Sequence, residues 1–243
     1  MKSAFIGGGR IAAALSAALA LIGPAPARAG SFRVDPVHIV LEADRAGAEL
    51  RLTNVEAAPA GMRVSVFRWT QSGGQDVYEP ADDIIASPPI FTVQPGATQV
   101  VRFGIRRRIP GAAYRIHVAE IPREGTPSTG IRVALKLDLP LHVSAARAAP
   151  AALSWSLRRN ADGRLVAEGR NEGGTHAQVS GIALVDSAGR HVARSAARGT
   201  ILPGSMRAWT LGADAGAGAE AAATIVVTTA SGEQRSAIGA PRP

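Results

Sequence analysis

From Phe32 onward, apolar and polar residues alternate in short runs that are separated by clusters of Gly, Pro, Asn and Asp. A period of two sends successive side chains to opposite faces, so each run predicts a half-buried antiparallel strand. Strands are predicted over Val37–Leu41, Ala48–Thr53, Met62–Trp69, Gln99–Ile105, Tyr114–Glu120 and Ile131–Val143. They recur at the spacing of a β-sandwich, and no helical period of useful length interrupts them.

The turns have local causes. Pro95-Gly96 suits a turn with positive φ at its second central position, and Ser72-Gly73-Gly74 suits a hairpin end. Ser87-Pro88-Pro89 cannot donate ladder hydrogen bonds at its prolines and predicts a connection or a sheet edge. Ser144–Ala152, SAARAAPAA, reads as a link, after which strands resume over Leu153–Arg159, Leu165–Arg170, Val179–Val185, Met206–Leu211 and Thr224–Thr229. Asn160-Ala161-Asp162-Gly163 is placed to close the first hairpin of this second half, and Gly212–Ala223 reads as a loop. No internal repeat stands out. The expectation is an all-β protein with one sandwich over 30–143 and another over 144–243, each long enough to bury a core.

Residues 1–29 read as an address. Lys2 and Arg10 precede the apolar run Ile11–Ile22, and Ala27-Arg28-Ala29 supplies a small-x-small cleavage site. The run is too short to span a bilayer, so an exported protein without membrane insertion is expected. Export implies an oxidising compartment, yet the chain has 0 cysteines, so packing and sheet hydrogen bonds must supply its stability. Three of the positive charges behind the formal +8 lie in the leader (Lys2, Arg10, Arg28), leaving a scattered +5. Without aromatic residues interleaved among the basic ones, Arg106-Arg107-Arg108 reads as a solvated loop, and nucleic acid is not expected as a partner.

Catalytic chemistry is hard to place. His38, His117, His142, His176 and His191 form no i, i+4 helical pair and no His-x-His, so no metal site is expected; only His117 and His142 have a claim to adjacent strands. There is no G-x-S-x-G elbow, no P-loop and no G-x-G-x-x-G between a strand and a helix. Asp82-Asp83 sits among turn residues and reads as a solvated loop pair. Neither an enzyme nor a cofactor is expected.

The most informative segment is Ile131–Val143, IRVALKLDLPLHV, in which every second residue is apolar and all seven project to one face. It exceeds the usual strand length and carries Arg132, Lys136, Asp138 and His142 on the other face. Alternation alone is equally the mark of an ordinary core strand. With Tyr114-Arg-Ile-His-Val-Ala-Glu-Ile-Pro122, Arg68-Trp69, Ser87-Pro88-Pro89 and Pro95-Gly96, however, the segment resembles the periplasmic chaperones of chaperone–usher pili. The resemblance covers the first sandwich and, more weakly, the second.

That resemblance implies two immunoglobulin-like antiparallel β-sandwich domains in a boomerang arrangement, located in the periplasm. It also implies pilus or fimbrial subunits and an outer-membrane usher as partners. The long strand would be lent to a subunit that lacks its own last strand, a mode of β-augmentation, with Ile131, Val133, Leu135, Leu137 and Leu139 filling the subunit's groove. Family members hold the subunit's terminal carboxylate with two basic residues, but the matching positions here are His38 and Pro140. Leu139-Pro140-Leu141 and Phe67-Arg68-Trp69-Thr70-Gln71 resemble the divergent branch serving archaic and spore-coat-type pili. Antiparallel pairing of Tyr114–Glu120 with Ile131–Val143 would bring Arg115 beside Leu137–Pro140, making it the first candidate for the carboxylate, followed by Lys136 and Arg102. The rival readings are an exported structural or adhesive sandwich such as a pilin-like subunit, and a secreted hydrolase. Whether the free chaperone shields its strand by self-association stays open.

Overall fold

The computed structural model describes residues 32–42, 44–45, 47–122, 134–196, 198–212 and 224–238, and every regular element among them is a β-strand. The proposed leader, residues 1–29, lies outside them, as does nearly all of the predicted loop at 212–223.

The first sandwich packs two sheets. One has the order β1-β3-β8-β6, formed by Phe32–Asp35, Gly47–Asn54, Thr98–Ile105 and Ile84–Ser87. The other has the order β2-β10-β9-β4-β5, formed by Ile39–Leu41, Lys136–Val143, Ala113–Ile121, Ala60–Ser72 and Gln75–Pro80, with β7 (Ile90–Val93) also paired to β4. Their inner faces follow the period of two: Leu50, Leu52, Val101 and Phe103 meet Met62, Val64, Tyr114, Ile116 and Val118, all buried. Each such side chain contributes roughly 1.5–3 kcal/mol on leaving water. Gly73 and Gly74, with φ of 58° and 79°, close the two-residue β4–β5 hairpin in the left-handed region that side chains resist.

The second sandwich joins β11-β12-β16 (Leu153–Arg159, Leu165–Asn171, Met206–Thr210) to β14-β13-β17-β18 (His191–Ser195, Ala177–Val185, Thr224–Thr229, Gly232–Ala237), while β15 (Gly199–Ile201) pairs with β13. Its own core centres on Trp155, Trp209, Leu184, Ile201 and Ile225. Asn160 closes the β11–β12 hairpin, its side-chain oxygen accepting from the backbone N–H groups of Asp162 and Arg164 at 3.1 and 2.9 Å.

Both sandwiches contain one fully buried asparagine in the same role. Asn54 donates to the carbonyls of Ala58 and Val93 and accepts from Glu56 N–H; Asn171 donates to those of Thr175 and Ile201 and accepts from Ala152 and Gly173 N–H. Even the backbone bonds correspond, Gly96 donating to Asn54 and Gly204 to Asn171, both at 2.9 Å. A repeat of this kind leaves no run of similar residues and was invisible in the sequence.

The short or polar strands β1, β5, β6, β7, β14, β15 and β18 were not anticipated, because their apolar runs are too brief to show a period. The strand expected from Val37 begins only at Ile39. Asp83 is a larger correction. It is not a solvated loop carboxylate but is buried at 3 % exposure, held by Arg68, Arg107 and the Tyr114 hydroxyl. Arg106-Arg107-Arg108 is an exposed loop, as expected, but a tethered one: Arg106 and Arg107 N–H groups donate to the Asp83 carbonyl, and Arg108 donates to the carbonyls of Glu42 and Arg45. Burial pushes the Asp83 carboxyl up, but hydrogen bonds from Arg107, Arg68 and Tyr114 outweigh it and hold it below the usual carboxylate value.

A lowered folded-state pKa contributes stability that is present above the ordinary carboxylate range and lost as pH falls through the lowered value. Asp83→Asn should therefore destabilise the protein by about 3–5 kcal/mol at pH 7. In urea unfolding followed by circular dichroism, the gap between wild type and variant should narrow once pH drops below about 4.

Candidate functional site

Strand β10 pairs antiparallel with β9 over its length, from Lys136 opposite Ala119 to His142 opposite Ala113. On its other edge it meets β2 in parallel, but only through Leu141, His142 and Val143. The edge of Lys136–Pro140 therefore has no strand partner among the described residues. Just before β10, the Leu135 carbonyl accepts from Glu120 N–H at 2.8 Å, so the pairing with β9 reaches at least one residue further.

The alternation continues through β10 but serves two surroundings. Leu139, Leu141 and Val143 are buried in the first sandwich's own core, and Leu137 packs partly buried against it. Leu139 was expected to fill a partner's groove; at 7 % exposure it is a core residue instead, because the two sheets close over this end of the strand. Leu135, half-buried, precedes the closed part. Ile131 and Val133 lie outside the described residues.

The opposite face of this sheet looks toward the second sandwich. Trp69 and Ala113 are buried there against Leu202. Gln71 donates to Thr200 O at 2.6 Å and accepts from Leu202 N–H at 3.0 Å. Asp76 takes hydrogen bonds from Trp69 and Gln71 and an ion pair from Arg207 across the gap. Burial pushes the Asp76 carboxyl up, but bonds from Gln71, Arg207 and Trp69 outweigh it and hold it below the usual carboxylate value.

Arg115 lies opposite Pro140, and its guanidinium rests over the Trp69 ring, 4.1 Å from the centroid. Its Nε is buried without an acceptor, and its nearest carboxylate oxygen, on Asp138, is 3.7 Å away, beyond hydrogen-bond range. With Asp76, Gln178, Ser180, Arg198, Thr200 and Arg207, it lines a cleft of about 440 Å³ between the sandwiches. Arg198 and Arg207 come from the second sandwich and carried no local signal of a shared cleft. Lys136 is exposed at the start of β10, on the same face as Asp138. Arg102 is not brought to this cleft: it stands on β8, in the other sheet, paired with Glu49 at 3.2 Å.

Three histidines that are far apart in the chain meet at the other side of the junction. His38 Nε2 lies 2.7 Å from His142 Nδ1, and the His142 and His176 rings stack with centroids 3.8 Å apart. His38 and His142 belong to the first sandwich and His176 to the second, so no sequence spacing announced them. His117 and His142 do lie on the adjacent strands β9 and β10, but at different register positions: His117 stands opposite Asp138 and packs against Phe67 with ring centroids 4.6 Å apart. Burial pushes His142 down to about 3, with the neighbouring His176, His38 and Arg115 adding to the effect, and burial also lowers His38 and His176.

The family profile for pili and flagellar-assembly chaperones, PapD N-terminal domain, matches residues 31–145, a stretch that takes in both sheets of the first sandwich. The first sandwich therefore matches the N-terminal domain of this chaperone family. Solved chaperones share the fold of both domains. The archaic chaperone–usher Csu pili of Acinetobacter baumannii supply one, the CsuC–CsuE chaperone–tip subunit pre-assembly complex, which matches with a TM-score of 0.69 and 21 % identity over 87 % of this chain and 100 % of that one. The Salmonella enterica SafA pilin complex with the SafB chaperone matches with a TM-score of 0.62 and 14 % identity, over 88 % and 99 %. The E. coli chaperone DraB matches with a TM-score of 0.59 and 17 % identity, over 87 % and 98 %. No curated protein matches the chain in sequence. The fold of the chaperone is thus the two-sandwich immunoglobulin-like one expected.

Trp69 ties Arg115, Asp76 and Leu202 into one junction. Trp69→Ala should lower stability by about 3–5 kcal/mol, in the range for truncating a buried aromatic ring. Urea unfolding followed by circular dichroism checks the loss.

Proposed function

We propose that this chaperone is exported to the periplasm and holds pilus-type subunits there by lending them the edge and apolar face at the start of β10, then passes them to an outer-membrane usher. The observation that carries the reading is the unpaired edge of Lys136–Pro140, contiguous with an upstream run of alternating apolar residues. A subunit lacking a strand exposes an apolar groove and two sheet edges that aggregate unless covered. A free edge supplies backbone hydrogen bonds, and Ile131, Val133 and Leu135 supply the groove-filling side chains, each contributing about 1.5–3 kcal/mol before the costs of association. Leu137, half committed to the core, marks where lending ends.

Arg115 is the proposed anchor for the subunit's terminal carboxylate. Its guanidinium lies over the Trp69 ring, is paired only loosely with Asp138 at 3.7 Å and lines the cleft, which suits bidentate recognition. His38 and Pro140, at the positions where relatives carry basic anchors, do not offer a permanent cation. The divergent features around Phe67–Gln71 and Leu139–Leu141, and the match to an archaic Csu chaperone, favour the archaic branch. Two complete sandwiches argue against a pilin-like subunit.

Co-expression with a candidate subunit, followed by measurement of soluble complex in periplasmic extract, tests both assignments. Leu135→Asp should abolish the complex while leaving the free chaperone folded by circular dichroism. Arg115→Ala should lower affinity at least tenfold, about 1.4 kcal/mol or more. Unchanged complex with Leu135→Asp would refute donation through this face, and unchanged affinity with Arg115→Ala would refute only the anchor.

A further inference from the structure

The histidine group at the junction is not used by subunit binding as proposed, and its arrangement is unusual. Three imidazoles from three separate segments converge so that one ligand atom from each lies within 4.8 Å of the others. Tetrahedral zinc with Zn–N bonds of about 2.0–2.1 Å requires nitrogens roughly 3.3–3.4 Å apart, a spacing bracketed by the 2.7 Å between His38 Nε2 and His142 Nδ1 and the 4.8 Å limit of the set. His142 Nε2 is buried and has no hydrogen-bond partner, an orphaned polar atom of the kind that a ligand accounts for.

The surroundings allow an ion to enter and be held. His142 and His176 line an open cleft of about 400 Å³ with Ser144, Thr175 and Pro203, and His38 is exposed beside it. Ordinary imidazoles are neutral above pH 7, the form that binds metal. A set of three nitrogen ligands with a solvent-filled fourth position suits zinc, copper or nickel and not the hard, oxygen-seeking magnesium or calcium.

We propose that His38, His142 and His176 form a divalent transition-metal site of the zinc type that pins the two sandwiches together. His38 immediately precedes β2 and His142 lies within the β2–β10 pairing, opposite Val40, in the first sandwich, while His176 immediately precedes β13 in the second. A bound ion would therefore span the link at residues 144–152 and hold the angle of the cleft in which Arg115 stands. The inference rests on the junction alone and holds whether or not β10 is lent to a subunit.

The test uses the untagged mature chain, stripped with EDTA and titrated with zinc chloride at pH 7.5 by isothermal calorimetry. One zinc ion per chain at micromolar or tighter affinity is expected, with a rise in the thermal midpoint. His38→Ala and His176→Ala should each weaken binding at least tenfold and remove the midpoint shift, whereas His191→Ala, on the exposed face of β14, should change neither. His176→Ala that still unfolds cooperatively and binds zinc like wild type would overturn the proposal. Absence of stoichiometric binding to wild type would overturn it equally.

Discussion

One strand has to satisfy two sheets, and the rest of the molecule is arranged around that demand. From Leu139 to Val143 the inward side chains of β10 complete the first sandwich's core, and β2 covers the outer edge of Leu141–Val143. Before Leu141 no strand among the described residues covers that edge, while pairing to β9 continues. Exposed strand edges are normally blunted because they recruit other chains. Here the open edge is preceded in the sequence by the alternating apolar residues Ile131, Val133 and Leu135.

Keeping such a strand presentable requires a rigid base. The same sheet's outer face is braced against the second sandwich through Trp69, Gln71 and Asp76, which engage Leu202, Thr200 and Arg207. That bracing leaves Arg115 stacked on Trp69 with little anionic compensation. Beneath it, Asp83 ties the Arg106–Arg108 loop to the core side of β4 and β9 through Arg68 and Tyr114. The ionic groups divide into those consumed by architecture, such as Asp83 with Arg68, and those that face the cleft, Arg115 among them.

Period-two alternation made the long strands legible, and β11 and β17 fall where the pattern put them. The β9–β10 register also follows from hairpin geometry, which is why Arg115 could be set beside Pro140 from sequence. What alternation cannot reveal is which sheet covers an apolar face. Leu135 and Leu139 look alike in the sequence, yet Leu139 is sealed inside the core. Long-range convergence is equally silent. Arg207 with Asp76, and His176 with His38 and His142, are separated by whole domains and meet only after folding. Asp83 was misread because a turn-like context says nothing about two arginines arriving from β4 and from the loop after β8.

Amide hydrogen exchange of the chaperone, alone and with a bound subunit, tests the divided strand most directly. Amides of Lys136–Leu139 facing the open edge should exchange readily in the free protein and become protected on binding, while those of Leu141–Val143 stay protected throughout. If the open-edge amides are already as protected as Leu141 in the isolated chaperone, or gain no protection in the complex, the strand is not lent and the account fails.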